Sequence, residues 1–88
     1  MAYYNLEIIR SAQKEIRKLP DPIRKKLVKN ISSLSRNPRP RGCEKLKGSR
    51  SSYRIRYGDY RVVYQVFDRR LVISVIRAAH RRDIYKNL

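Results

Sequence analysis

Two runs of alternating side chains flank Gly58-Asp59 between Tyr53 and Val66, apolar with basic or polar except at Val63, and the rest of the chain is organised around them. Tyr53, Ile55 and Tyr57 alternate with Arg54 and Arg56; after Gly58-Asp59, Tyr60, Val62, Tyr64 and Val66 alternate with Arg61, Val63 and Gln65. A period of two is the mark of a strand. Gly-Asp between two such runs predicts a β-hairpin with a two-residue turn. That turn length sets the register: Tyr57 opposite Tyr60, Arg56 opposite Arg61, Ile55 opposite Val62, Arg54 opposite Val63, Tyr53 opposite Tyr64. Successive side chains point to opposite faces. Tyr53, Ile55, Tyr57, Tyr60, Val62 and Tyr64 therefore share one face, and Arg54, Arg56 and Arg61 the other.

The flanking segments have their own periods. Tyr3 to Ile9 reads as a strand, with Tyr4, Leu6 and Ile8 on one face. Ser11 is a candidate cap for a helix carrying Ala12, Ile16 and Leu19. Pro20-Asp21-Pro22 breaks that helix, and Asp21 is expected to cap a second with Pro22 in its first position. Ile23, Leu27, Ile31 and Leu34 form its apolar stripe, widened by Val28, while Arg24, Lys25, Lys26 and Lys29 lie opposite. Asn37-Pro38 ends it. A loop rich in proline, glycine and charge is expected from Arg36 to Gly48. After Phe67 and a turn at Asp68-Arg69-Arg70, Leu71 to Ala78 reads as a last strand. A turn of two or four residues places Leu71, Ile73 and Val75 on the face of Val62, Tyr64 and Val66, burying more apolar surface than odd parity. Continued, this parity puts His80 on the arginine face. Val63, Phe67, Val72 and Ile76 also lie on that face, so part of it is expected to be covered. The order is β-α-α-β-β-β: an α+β fold with an antiparallel sheet and an N-terminal helical hairpin packed on one face. The sequence does not say where the first strand pairs.

Charge changes the picture most. Eighty-eight residues suit a single domain, 1–88, with a small core. Its 23 Lys+Arg against 7 Asp+Glu give a net charge of +16, which calls for an anionic partner, nucleic acid or acidic protein before membrane. Basic residues recur at 36, 39, 41, 45, 47, 50, 54, 56 and 61, against Glu44 and Asp59. No apolar stretch is long enough to span a bilayer. No signal-peptide pattern opens the chain. The lone Cys43 has no internal disulfide partner. These features lead us to expect a cytoplasmic protein without membrane association. One cysteine and one histidine support neither a zinc site nor a Cys–His catalyst.

Arg56 facing Arg61 is destabilising without an anion, because like charges opposed across a sheet repel. Two readings stay open: solvated surface arginines, or a site for phosphate, whose oxygens match the guanidinium fork.

Three stretches carry a resemblance along essentially the whole chain: Lys45-Leu46-Lys47-Gly48; Tyr53-Arg54-Ile55-Arg56 with Asp59-Tyr60-Arg61-Val62-Val63-Tyr64-Gln65-Val66; and Ala79-His80-Arg81-Arg82-Asp83-Ile84-Tyr85. In this order, and after an N-terminal helical hairpin with its Arg17-Lys18-Leu19-Pro20, they resemble the RelE toxins of type II toxin–antitoxin systems, within the RelE/ParE superfamily. The resemblance implies a metal-independent endoribonuclease, without cofactor, that cleaves mRNA in the ribosomal A site by positioning the RNA's own 2′-hydroxyl against the adjacent phosphate. It implies catalytic roles for Arg61, Arg81 and Tyr85. Arg54 and Arg56 would bind phosphate, joined by Lys45, Lys47 and Arg50 of the basic run. Two departures matter. The second-strand pair is Lys in familiar members and Arg here, and Arg is a poor base. His80 stands where Lys often occurs, and becomes the candidate base because histidine ordinarily titrates near neutrality. The implied partners are a cognate antitoxin, the ribosome with its 16S ribosomal RNA, and mRNA, with operator DNA reached only through the antitoxin. The alternatives are a ParE-like inhibitor of DNA gyrase and a basic RNA- or ribosome-binding module without catalysis.

Overall fold

The computed structural model describes residues 3–86, with side chains through Ile84. In chain order the elements are β1 (Asn5–Ile8), α1 (Arg10–Arg17), α2 (Asp21–Ser33), β2 (Glu44–Lys45), β3 (Ser52–Tyr57), β4 (Tyr60–Phe67), β5 (Val72–His80) and α3 (Arg81–Lys86). The α+β class and the helical hairpin are as expected from the sequence. Two elements were not expected. The two-residue strand β2 lies inside the anticipated loop, and the terminal residues coil into α3.

The β3–β4 hairpin has the register that its turn length dictates, from Tyr57 opposite Tyr60 to Tyr53 opposite Tyr64. Gly58 takes φ +57, which a turn with glycine first requires. The sheet order is β1-β5-β4-β3-β2. Its outer pair β1–β5 is parallel, so the sheet is mostly, not wholly, antiparallel. The β4–β5 connection spans four residues between paired Phe67 and Val72. Leu71 belongs to that turn, not to the strand: it takes φ +53, and its carbonyl accepts the Asn5 N–H at 2.7 Å.

One feature of β5 inverts the expected pattern. Val66 faces Ile73 and Tyr64 faces Val75, as even parity requires, but Val63 faces Arg77. Ile76 is the extra residue of a β-bulge. Beyond it every side chain changes face, so Ala78 lies opposite Val62, Ala79 opposite Arg61 and His80 opposite Tyr60.

The helices pack on the tyrosine–aliphatic face. Ala12, Ile16, Leu27, Ile31 and Leu34 join Ile55, Val62, Tyr64, Val66, Ile73 and Val75 in the main core. The helices begin earlier than expected, α1 by two residues and α2 by one. The N-caps are Ile9 and Pro20, neither with a side-chain cap. Ser11 and Asp21 are inside the helices, and Asp21 pairs with Arg24. On the opposite face Val63, Ala79 and Ile84 form a second cluster with Leu46 and Ile76; α3 covers the apolar part of the arginine face.

The loop before β2 is tied to the sheet at the end away from the β3–β4 turn. Arg39 donates Nη2 to Asp68 Oδ2 at 2.8 Å and Nε to the Tyr53 hydroxyl at 3.0 Å. Tyr4 donates to Asp68 Oδ1 at 2.6 Å, and Tyr64 donates to the Pro38 carbonyl at 2.7 Å. These bonds hold the Asp68 carboxyl below its usual range, through Arg39 first and then Tyr4. The same carboxylate raises Tyr4 and Arg39, while burial raises Tyr64.

Candidate functional site

The hairpin tip gathers cations because three elements end there. Arg56 on β3 lies directly opposite Arg61 on β4, and Arg61 lies opposite Ala79 on β5. Two residues later Arg81 opens α3. Its N–H donates to the Asp59 carbonyl at 2.7 Å, and its Nε stands 3.9 Å from Asp59 Oδ1. The tip turn therefore holds the start of α3.

The arginines have different environments. Arg56 is exposed. Arg61 is only 7% exposed, and its Nη1 donates to the Gly58 carbonyl at 2.8 Å and the Tyr60 carbonyl at 3.0 Å. It therefore braces the turn as well as placing positive charge beneath the tip. Arg81 is largely exposed. Arg54 is half-buried and pairs with Glu44 at 2.9 Å, which reduces its free charge. An exposed Arg56 and Arg81 beside a braced Arg61 can hold a phosphate and stabilise charge developing on it. Guanidinium keeps its protons and does not act as a base.

The bulge decides where His80 goes. Instead of joining the arginine face, His80 shares the face of Tyr60, its ring edge-on to the Tyr60 ring at a centroid distance of 5.4 Å. It borders a cleft of about 390 Å³ whose walls include Glu15, Lys18, Tyr60, Arg82 and Asp83. The expected approach of His80 to the arginine cluster is not observed, because even parity was carried through a strand that contains an extra residue. The Tyr85 backbone lies in α3, but its side chain falls outside the described residues. Lys45 pairs with Tyr53, so its face alternates away from that of Arg54. Lys47 and Arg50 are exposed in the β2–β3 loop. That loop enters β3 at Ser52, roughly 15–20 Å from the tip at about 3.4 Å per residue. These three cations extend a basic edge and do not join the tip.

Sequence reasoning passed over Asp59, Glu15 and Arg77. Asp59 read only as a turn residue, yet it grips Arg81. Glu15 accepts from Arg77 Nη2 at 2.9 Å and from the Ala78 N–H at 3.0 Å, clamping the bulge to α1. These partners are 62 and 63 residues apart, and no local pattern signals such a pairing. Among the described residues, no group of three His, Cys, Asp or Glu side chains converges as metal ligands would. No helix among them is long and apolar enough to cross a membrane.

Comparison with known proteins follows the same full-length outline. The family model described as the ParE toxin of type II toxin-antitoxin system, parDE, matches residues 6–85. The mRNA interferase toxin RelE of Escherichia coli is 39% identical over 83 residues, covering 92% of this chain and 85% of that protein. The archaeal RelE–RelB complex from Pyrococcus horikoshii aligns with a TM-score of 0.80 and 30% identity, over 90% of this chain and 96% of that one. The intact Escherichia coli RelBE toxin–antitoxin complex aligns with a TM-score of 0.77 and 36% identity, over the same shares, 90% and 96%.

Proposed function

This chain belongs to the RelE/ParE superfamily of type II toxin–antitoxin toxins, on its RelE side, and from that premise we propose that it is a ribosome-dependent endoribonuclease. It cuts mRNA in the ribosomal A site, arrests translation, and is neutralised by a cognate antitoxin. The reading treats residues 1–88 as one toxin domain acting in the cytoplasm, where ribosomes are engaged. The observation that carries it is the full-length similarity to an mRNA interferase, at 39% identity. The convergence of Arg56, Arg61 and Arg81 at one hairpin tip supports it.

In this mechanism the 2′-hydroxyl gives its proton to ribosomal RNA or water while its oxygen attacks the adjacent phosphorus and the bond to the 5′-oxygen breaks. Arg56 and Arg81 hold the phosphate oxygens. Arg61, braced against the turn, adds charge that is already in place before the transition state, so little reorganisation is needed. Tyr85 is the proposed acid for the departing 5′-oxygen, since a phenol ordinarily keeps its proton at neutral pH. His80, on the other face of the sheet, is not assigned the base role. Lys45, Lys47 and Arg50 contribute a basic edge toward ribosomal RNA. The antitoxin supplies an acidic segment that orders against the tip.

The test is incubation with programmed ribosomes followed by mapping of mRNA ends. Cuts confined to the A-site codon, with weak cleavage of naked mRNA, are expected. Equal rates with and without ribosomes would remove the ribosome from the mechanism. Absence of cleavage together with inhibition of DNA gyrase would transfer the protein to the ParE side of the superfamily.

A further inference from the structure

A helix of six residues is too short to persist by itself, so α3 depends on what grips it. Ile84 is its apolar anchor, fully buried with Val63 and Ala79. The first four N–H groups at a helix start have no carbonyl within the helix to reach, and here two of them find partners outside it. The Arg81 N–H donates to the Asp59 carbonyl at 2.7 Å. The Arg82 N–H donates to His80 Nδ1 at 3.3 Å. His80 directly precedes the helix, so its side chain accepts from the second helical N–H, as an N-cap residue does.

We propose that His80 is a positioning residue: its unprotonated Nδ1 caps α3 and holds the Arg81–Tyr85 segment at the hairpin tip, and protonation releases that hold. The bulge makes this possible by turning His80 away from the arginines and toward Tyr60. Imidazolium carries a proton on both nitrogens and has no acceptor left. It also places positive charge at the positive end of the helix dipole.

The charged neighbours on every side bear on the sign. Lys18, the C-cap of α1, and Arg81 and Arg82 from α3 oppose the imidazolium. Glu15 from α1 is committed to Arg77 of β5 and to the Ala78 N–H. Asp59 of the turn stands beside Arg81, and Tyr60 of β4 presents a neutral ring. Asp83, in the first turn of α3, lines the same cleft as His80 and is the remaining anion on that side. The cap therefore acts while the imidazole is neutral and is lost when the ring takes up a second proton.

His80 is the sole histidine of the chain, so one titration reports on it. The experiment is amide hydrogen exchange of the full chain from about pH 7.5 down to about pH 5, above the ordinary carboxylate range. Protection of the Arg82 and Ile84 amides is read against the core amide of Val62 after correction for intrinsic rates. In the wild type, α3 protection should fall toward acid while Val62 holds. His80→Ala should lower α3 protection roughly fivefold at neutral pH, as loss of a cap does, and make it independent of pH. His80→Asn should restore it, because Asn caps without titrating, and keep it flat in acid. Wild-type protection that stays flat across this range would overturn the proposal, as would an Asn variant no better than Ala. The activity arm rests on the nuclease reading: ribosomal cleavage should lose its acid limb in His80→Asn and keep its neutral rate. Exchange behaving as stated with no ribosomal cleavage by any form supports the cap and sinks the nuclease reading instead.

Discussion

Removing the Glu15 carboxylate tests whether the bulge is clamped from α1. In Glu15→Ala the Ala78 N–H loses its acceptor in a residue with no solvent exposure. An orphaned buried donor costs about 1–3 kcal/mol. The Arg77 guanidinium loses contacts at 2.9 and 3.2 Å; a hydrogen bond to a charged group contributes about 1.5–3 kcal/mol. The two side chains are 21% and 24% exposed, so water recovers part of that loss and the lower ends apply. Their sum is about 2.5 kcal/mol. At about 4–8 °C per kcal/mol for a domain of this size, Tm should drop by about 10–20 °C. Glu15→Gln keeps an oxygen for the Ala78 N–H and should cost about half as much. The assay is thermal and urea unfolding of Glu15→Ala, Glu15→Gln, Arg77→Ala and the Glu15→Ala/Arg77→Ala double variant. A coupling of about 1–2 kcal/mol between the two positions is expected for partners in direct contact. A Glu15→Ala protein within about 0.5 kcal/mol of wild type would refute the clamp, because surface changes away from specific contacts fall in that range. Gln and Ala variants of equal stability would show that the bond to Ala78 contributes nothing.

Arg56→Ala should reduce ribosomal cleavage about 10²-fold with unchanged Tm, since Arg56 is exposed, whereas Lys25→Ala on α2 should stay near the wild-type rate; equal losses would mean bulk charge, not the tip, carries the activity. Arg61→Ala should lose both cleavage and about 1.5–3 kcal/mol of stability, because its charged donor is shared by two turn carbonyls; an unchanged urea midpoint would argue against the brace. Asp68 has its carboxyl lowered in the fold by Arg39 and Tyr4. Its stabilisation is therefore full above the ordinary value of 3.8 and disappears as pH falls through the lowered one. Acid unfolding followed by tyrosine fluorescence should show this limb in wild type and a weaker one in Asp68→Asn; identical acid profiles would contradict it.

The hairpin register, the two apolar helix faces and the even β4–β5 turn were legible in the sequence because each is written in a local period. Two residues per repeat and a two-residue turn leave one way to pair Tyr53–Tyr57 with Tyr60–Tyr64. The same locality makes Arg56 and Arg61 cross-strand partners. What lay beyond it depended on contacts between distant segments. β1 found β5, and parallel pairing has no turn to announce it. Ile76 became a bulge, which no alternation reveals, because an extra residue leaves the local pattern apolar on both sides. That one residue inverted parity for Ala78, Ala79 and His80, moving the histidine from the arginine face to the Tyr60 face. Arg61 proved to be a brace, Asp59 a grip on Arg81 and Glu15 a clamp on the bulge. A side chain's charge is encoded locally, but which face it takes depends on every residue counted between it and the last fixed pair. Its partner depends on which distant backbone the collapsed core brings within hydrogen-bonding distance.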